Sequence, residues 1–290
     1  MDVIINLLVN GISTGLLIFL LAAGLTLIFG LMDVLNFAHG GLFVWGAFMG
    51  AWVFNETGNF LLSVAAAILI GMVLGLVLER FLIRPVYGNH VRQLLITLGG
   101  MLVLTESIKI LWGPNPIRVN LPEWLQGSFQ FDGGVILIKY RLFVIVVGII
   151  MYAALWLLLN KTRIGLMIRA GVIDKEMVQA MGINVKAIFT FVFLLGSAMA
   201  AMGGALLAPY SGVVFAEMGM QYAILAFIVV IIGGMGSLQG SALASLIVGV
   251  LGAFMAYYIP DLSLALNMLL LAFVLLVKPT GLMGEKGGAV

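Results

Sequence analysis

Charged side chains are scarce in this chain: they make up 9% of its residues, while hydrophobic residues make up 63%. A soluble domain carries roughly a quarter charged residues, because these cover its water-facing surface. The composition therefore predicts an integral membrane protein. Cysteine is absent altogether, which excludes disulfides, thiolate nucleophiles and cysteine metal sites.

Sequence motifs for catalysis and nucleotide binding are missing as well. No G-x-x-x-x-G-K-[ST] sequence is present to hold phosphates, so we expect no ATP hydrolysis by the P-loop route. His39 and His90 are the only histidines, and neither H-E-x-x-H nor G-x-S-x-G occurs. We therefore expect no enzyme activity, no metal site and no cofactor bound by this chain. The net charge of +2 is too small to indicate nucleic-acid binding.

Long apolar runs extend from one end of the chain to the other. Runs of about 17 to 25 residues can cross a hydrocarbon core roughly 30 Å thick as helices, and they lack the alternation that is typical of barrel strands. We predict an all-α polytopic membrane protein with about 8–9 transmembrane or half-spanning helices, in a single domain over residues 1–290. The predicted segments are Val3–Leu31, Phe37–Phe54, Phe60–Leu82, Leu94–Leu111, Leu142–Leu159, Ala187–Leu207, Gly219–Ile232, Ser241–Ile259 and Pro260–Val277.

Basic residues fall into three groups, within residues 80–92, 161–186 and 278–286. Loops rich in Lys and Arg face the cytoplasm in most membrane proteins. The three groups agree with one another if the N-terminus is outside and the C-terminus inside. Residues 160–186 then form a cytoplasmic segment, and residues 113–141 form an extracytoplasmic loop.

Two glycine-rich interruptions divide the helical pattern in a similar way. The first is LMDVLNFAHGG at residues 31–41, and the second is GGMGSLQG at residues 233–240. Each one separates an apolar run from a helix with closely spaced small residues, which favour tight helix packing in membranes. The similarity predicts an internal repeat of two related halves.

A short amphipathic helix is predicted within the cytoplasmic segment, from Asp174 to Gly182. Asp174 can cap its N-terminus and Gly182 can adopt the left-handed conformation that ends a helix. Met177, Ala180 and Met181 share one face, because they are three and four residues apart. Two interpretations of this face are equally good: a docking surface for a partner's groove, or an interfacial helix that rests on lipid or on its own bundle.

The first interruption also offers a candidate solute pathway. Asn36, His39, Gly40 and Gly41 lie where a helix begins, and free backbone N–H groups at such a terminus can bind a carboxylate. The competing interpretation is structural: Asp33 and Asn36 cap the helix, and His39 makes a polar contact between helices. The second interruption offers the same choice between a solute pathway and a structural function, and there the structural function is close packing. Its candidates are Gly233, Gly234, Gly236 and Ser237.

Few ionisable residues lie within the apolar runs. Glu106 and Lys109 are three residues apart on one helix, and this spacing predicts a local ion pair. A secondary transporter usually needs buried ionisable groups to bind its driving ion, although backbone carbonyls can coordinate sodium. The shortage therefore counts moderately against an ion-coupled secondary transporter.

Four groups of short sequences occur along the chain: GLTLIFG at residues 24–30, LNFAHGG at 35–41, RA at 169–170 with AMGI at 180–183, and GGMGS at 233–237 with Gly240. Taken together and in this order, they resemble the permeases of branched-chain amino acid ABC importers, of the high-affinity leucine, isoleucine and valine type. The resemblance covers nearly the whole chain.

The resemblance implies an assembly in the bacterial inner membrane. In such an assembly this chain pairs with a second permease subunit, two ATP-binding subunits dock on the cytoplasmic side, and an extracytoplasmic solute-binding protein delivers solute. For the short helix predicted in the cytoplasmic segment, the resemblance also favours the docking surface over the interfacial helix. The residues that it implies for ATPase coupling are Arg169, Ala170, Asp174, Glu176, Met177, Ala180, Met181 and Gly182.

We therefore expect a permease subunit of an ATP-driven importer for branched-chain amino acids or similar small polar solutes, which works by alternating access. The first alternative is an ion-coupled secondary transporter that acts without an ATPase. The second is a structural or assembly subunit. Apart from Asp33, no acidic residue near the interruptions is available to match the ammonium group of an amino acid.

Overall fold

The computed structural model describes residues 2–131, 134–173 and 175–284, and its architecture is almost entirely helical. The helices are α1 (Asp2–Met32), α2 (Ala38–Thr57), α3 (Phe60–Val77), α4 (His90–Trp112), α5 (Lys139–Lys161), α6 (Arg163–Ile173), α7 (Lys175–Ala180), α8 (Val185–Ser211), α9 (Met218–Gly233), α10 (Leu238–Tyr258) and α11 (Pro260–Val277). The strands are β1 (Ile117–Arg118), β2 (Ser128–Phe131), β3 (Val135–Ile138) and β4 (Val213–Val214). A π-helical turn, Leu78–Ile83, continues α3.

Each of the predicted apolar segments is a helix, which confirms the all-α polytopic fold. Among the described residues, 6 helices are long and apolar enough to cross a membrane, and Met218–Gly233 and Ala265–Val277 are shorter apolar helices. The sequence did not predict α6, which occupies the first half of the predicted cytoplasmic segment. The internal repeat stays a prediction, although an interruption does separate α1 from α2 and α9 from α10.

Helices α1 and α8 form the centre of the bundle. Most of the apolar stretch of each is buried, whereas α5 is mostly exposed on the outside. Phe19, Leu21 and Ala22 on α1 have no exposed surface, and neither do Val192 and Phe193 on α8. In lipid an exposed apolar face carries no penalty, so the outer helices keep apolar residues on both faces.

Close approach at glycines sets the positions of these helices. A Cβ added to Gly15 on α1 would lie 2.7 Å from the Ser245 carbonyl oxygen on α10. On the other side of the core, Gly46 on α2 packs directly on the backbone of Ala201 on α8. Glycine allows backbones to approach in this way, and the van der Waals attraction between closely packed backbones is a main source of helix association in membranes.

The two polar segments lie at opposite ends of the bundle. At one end, the backbone N–H of Ile136 in β3 donates to Asn6 Oδ1 near the start of α1, at 3.2 Å. At the other end, a Cβ added to Gly171 on α6 would lie 3.2 Å from Leu31 Cδ1 near the end of α1. We call the second one the basic end. The cytoplasmic location of this end stays a prediction.

Short strands and an ion pair complete the end opposite to the basic end. β2 pairs with β3 and β1 pairs with β4, both antiparallel. Lys109 Nζ lies 2.9 Å from Glu106 Oε1, which confirms the pair that the sequence predicted. It also lies 2.9 Å from Glu217 Oε1, at the start of α9. This hydrogen bond lowers the pKa of the Glu217 carboxyl below its ordinary value.

Gly46→Ala tests the glycine contacts. The added methyl group would overlap the Ala201 backbone, and overpacking of this kind costs about 2 kcal/mol. We expect a lower Tm for the detergent-solubilised protein in a thermal unfolding experiment. Gly99→Ala on α4 is the matched control, because nothing lies within 4 Å of a Cβ there, and it should leave the Tm unchanged or raise it. Equal Tm values for the two variants would contradict this packing.

Candidate functional site

Two interruptions of helical backbone meet near the basic end. Residues 33–37 separate α1 from α2, and residues 234–237 separate α9 from α10. A Cβ added to Gly30, one turn before the first interruption, would lie 2.9 Å from the Cα of Gly236 in the second. Non-helical backbone inside a membrane protein is tolerated where it is buried in protein or lines a cavity. This meeting point is therefore the candidate site.

The first interruption runs along α4 from the basic end toward the middle of the bundle. Asp33 Oδ2 lies 3.4 Å from Nε2 of His90, the first residue of α4. Two turns further along α4, the Thr97 hydroxyl donates to the Leu35 carbonyl at 3.2 Å. A Cβ added to Gly100 would lie 3.6 Å from the Cβ of Ala38. Helix α2 therefore begins beside the middle of α4.

Asp33 has the left-handed backbone conformation that reverses the chain here, with φ +54°. This conformation costs an L residue roughly 1–2 kcal/mol. It persists here because the backbone N–H of Asp33 donates to the Phe29 carbonyl at 2.8 Å, and the side chain lies beside His90. The turn thus ends α1 and starts the extended segment.

Of the residues predicted for the pathway, Asn36 and His39 are buried polar residues. Asn36 has no exposed surface, and neither its amide nitrogen nor its amide oxygen has a hydrogen-bond partner in residues 2–131, 134–173 and 175–284. His39 Nε2 lies 3.1 Å from the Leu21 carbonyl oxygen, and Nδ1 has no partner. The N–H groups of His39 and Gly40 donate to the carbonyls of Asn36 and Phe37, both at 3.3 Å. Those two N–H groups are therefore engaged in this conformation.

Gly40 and Gly41 lie at tight helix contacts. Gly40 packs on the Gly219 carbonyl of α9, and a Cβ added to Gly41 would lie 2.7 Å from Leu104 Cδ1 on α4. Neither Asp33 nor Asn36 caps α2, whose first turn is preceded by Phe37 without a side-chain cap. The capping part of the structural alternative is therefore wrong, whereas its other part, a polar contact between helices at His39, is present.

The second interruption is covered by the last described residues. Gly234 and Gly236 have φ +102° and φ +83°, a region that favours glycine. The Ser237 hydroxyl accepts from the Gly240 N–H at 3.1 Å and so caps α10. The backbone N–H groups of Leu282 and Met283 donate to the carbonyls of Ile232 and Gly233, at 2.7 Å and 2.9 Å. The segment after α11 thereby satisfies carbonyls that the end of α9 leaves open.

The predicted coupling residues lie at the basic end. Met181 is exposed, as are Met177 and Ala180, whereas Val178 on the same short helix is buried. Gly182 has φ +81° and follows α7, in the conformation that the sequence predicted. An apolar strip is therefore presented outward while Val178 anchors α7 in the bundle.

The other four residues predicted for coupling are Arg169, Ala170, Asp174 and Glu176. Ala170 packs against the hydrophobic core. Arg169 Nη1 donates to Asn160 Oδ1 at 3.0 Å on the exposed surface. The backbone of Glu176 lies in α7. Asp174 lies outside the described residues. The coupling function of the whole set stays a prediction.

The sequence reasoning missed a polar cluster around Glu79 at the basic end. Glu79 lies in the π-helical turn and is 1% exposed, and its carboxylate accepts from Arg84 Nε at 3.3 Å and from the Tyr87 hydroxyl at 2.9 Å. The Thr190 hydroxyl on α8 donates to Glu79 Oε2 at 3.2 Å. Burial raises the pKa of Tyr87 above its ordinary value, so the phenol keeps the proton that it donates. An acidic residue inside an apolar run was the available signal.

Gln93 on α4 was missed as well. It has no exposed surface, and among the described residues neither of its amide atoms has a partner. Gln93 lies one turn before Thr97 on the same face of α4, because the two residues are four apart. A polar pair four residues apart in an apolar run was the available signal.

A model of the family described as branched-chain amino acid transport system / permease component matches residues 7–277. The chain belongs to this family. The match covers both interruptions and every helix from α2 to α11, so the fold described above is that of a permease component. The family resemblance that the sequence showed is therefore confirmed.

Three relatives show how closely this permease resembles other proteins of the family. The high-affinity branched-chain amino acid transport system permease protein BraD of Pseudomonas aeruginosa is 31% identical over 96% of this chain and 95% of its own length. The corresponding LivH protein of Escherichia coli K12 is 28% identical over 95% and 94%. The probable LivH of Methanocaldococcus jannaschii is 25% identical over 92% and 89%.

Among solved structures, PsaBC from Streptococcus pneumoniae in complex with Fab matches with a TM-score of 0.48 at 13% identity. The match covers 92% of this chain and 89% of that chain.

Glu79→Gln tests the buried cluster. The change keeps the shape of the side chain but leaves Arg84 without a charged partner, and the loss of a hydrogen bond to a charged group costs about 2 kcal/mol. We expect a lower Tm in detergent. Glu106→Gln is the matched control, because Glu106 is 62% exposed in its pair with Lys109, and exposed pairs contribute little. A Tm for Glu79→Gln equal to that of the control would contradict a structural function for the cluster.

Proposed function

We propose that this chain is the permease subunit of an ATP-driven importer for branched-chain amino acids or similar small solutes, located in the inner membrane. The observation that carries the proposal is the match of the permease family over residues 7–277. The names of BraD and LivH state a branched-chain amino acid transport system. The chain has no P-loop sequence, so the ATP is bound and hydrolysed by partner subunits, and this chain binds no cofactor.

The proposed partners follow from this assignment. Two ATP-binding subunits dock at the basic end, a second permease subunit lies beside this chain in the lipid, and an extracytoplasmic solute-binding protein docks at the opposite end. The exposed apolar strip of Ala180 and Met181 at the basic end supports the first of these contacts. Docking there would move α7, and through α7 the first turn of α8.

The proposed transport cycle opens the bundle alternately toward its two ends around the interruptions. Asn36, His39, Gly40 and Gly41 in the first interruption and Gly233, Gly234, Gly236 and Ser237 in the second are the proposed pathway residues. The meeting of Gly30 with Gly236 supports this proposal, because broken helices line solute sites in other transporters.

ATP-dependent uptake is the direct test. We expect proteoliposomes that hold this chain with its second permease and ATPase subunits to accumulate radiolabelled leucine, when the binding protein is added and ATP is supplied to the ATPase side. Vesicles with this chain alone should accumulate none. Uptake by the chain alone, driven by an ion gradient, would favour the secondary transporter instead.

Met181→Glu tests the docking strip. A carboxylate at this exposed apolar position would be desolvated against a partner's groove, so we expect uptake to fall about tenfold or more, with normal membrane insertion. Gln179→Glu places the same charge on an exposed residue of the same short helix and should retain most of the uptake. Wild-type uptake by Met181→Glu would contradict docking at this strip.

A further inference from the structure

Two buried amides at the first interruption have no hydrogen-bond partner within the part of the chain that the structure describes. Asn36 lies in the interruption and Gln93 lies on α4, and neither has any exposed surface. Nearly all buried polar side-chain atoms in folded proteins are hydrogen-bonded, because an unsatisfied one loses its interaction with water and receives none in return. Four unsatisfied amide atoms in one small region therefore indicate a group that is bound there in another state.

Both amides belong to the same contact between α4 and the interruption. Gln93, Thr97 and Gly100 lie on one face of α4, because they are four and three residues apart. Thr97 bonds the Leu35 carbonyl, and Gly100 lies against Ala38. Asn36 lies between Leu35 and Ala38 in the chain. Both residues therefore lie along the contact between the first interruption and the first three turns of α4.

The ionisable groups nearest in the chain are those of Asp33, His90 and Arg92, and all three residues are exposed. Asp33 and His90 lie 3.4 Å apart, and both are more than half exposed at the basic end. They are therefore not part of the buried region. His39, on the α1 side of α2, bonds the Leu21 carbonyl and lies against Gly24. Among the described residues, the polar groups in the region around Asn36 and Gln93 are therefore neutral.

We propose that Asn36 and Gln93 are the solute-binding residues of the permease, and that they bind the backbone end of a zwitterionic amino acid. An amide N–H group donates to a carboxylate and an amide oxygen accepts from an ammonium group. Two amides therefore match both ends of a zwitterion without a charged residue. The amide oxygens would thus bind the ammonium group, for which the sequence offers no acidic residue near the interruptions apart from Asp33. The N-terminus of α2 adds a favourable dipole for the carboxylate.

Complete burial of both amides assigns this conformation to a closed state. A solute reaches them only when α4 moves away from residues 33–37. The Thr97 hydroxyl bond to the Leu35 carbonyl joins the two parts in the closed state. Neutral hydrogen bonds suit a pathway residue, because a solute must leave the site as well as enter it.

Gln93→Met tests this proposal, which rests on the proposed function. Methionine has a similar unbranched shape but no amide, so it removes two unsatisfied polar atoms from the buried region. A side chain with only a structural function would stabilise the fold, and its loss would lower the Tm. A solute-binding amide gives the opposite combination: a Tm at or above that of the wild type, and leucine uptake slowed about tenfold or more, since hydrogen bonds to charged solute groups are lost.

Thr105→Val is the matched control on the same helix. Thr105 is buried three turns beyond Gln93, and its hydroxyl donates to the Met101 carbonyl at 2.9 Å within α4. This variant should retain wild-type uptake of leucine. Asn36→Leu provides a second, independent variant from the other side of the contact, and it should show the same slow uptake as Gln93→Met.

The measurements are ATP-driven uptake of radiolabelled leucine by the reconstituted complete assembly, its ATP hydrolysis, and the Tm of the detergent-solubilised assembly. Slow uptake with an undiminished Tm in both amide variants would support the proposal. Wild-type uptake by Gln93→Met, or a parallel fall in uptake and Tm, would overturn it. If the wild-type assembly itself showed no ATP-driven uptake, the proposed function would fail, and this inference with it.

Discussion

Direct backbone contact between helices is the constraint on which this structure depends. In lipid, burial of apolar surface does not drive helices together, because the acyl chains are as apolar as the side chains. Contacts such as Gly15 with Ser245 and Gly46 with Ala201 bring backbones together instead. They fix α1 against α10 and α2 against α8. The central position of α1 and α8, and with it the depth of the interruptions, follows from these contacts.

The same constraint explains why broken helices are possible here. Backbone polar groups that leave a helix inside a membrane must find other partners. The Leu35 carbonyl accepts a hydrogen bond from the Thr97 hydroxyl. The carbonyls of Ile232 and Gly233 accept hydrogen bonds from the N–H groups of Leu282 and Met283. Each partner comes from a different part of the chain. The interruptions therefore exist only because α4 and the segment after α11 pack beside them.

A continuous path of contacts connects the short helix at the basic end to the first interruption. Val178 anchors α7 next to α8, and Thr190 on α8 bonds Glu79 in the π-helical turn. The Tyr87 hydroxyl, in the connection to α4, bonds the same carboxylate. Helix α4 then carries Gln93 and Thr97 to the interruption. In the proposed function, movement of α7 reaches the proposed solute site along this path. The path includes the π-helical turn, and such turns often occur at functional positions.

Local features of the sequence were sufficient to predict the helices other than α6, the left-handed Gly182 and the Glu106–Lys109 pair, since hydropathy, backbone conformation and short spacing act along one chain segment. They also located the interruption around Asn36. Tertiary packing was needed to bring Gln93 beside it, to join Gly30 with Gly236, and to connect Glu79 with α8. With nearly every helix face apolar, periodicity does not indicate which faces pair. Pairing depends on the fit of small residues between distant segments, which exists only once the bundle has formed.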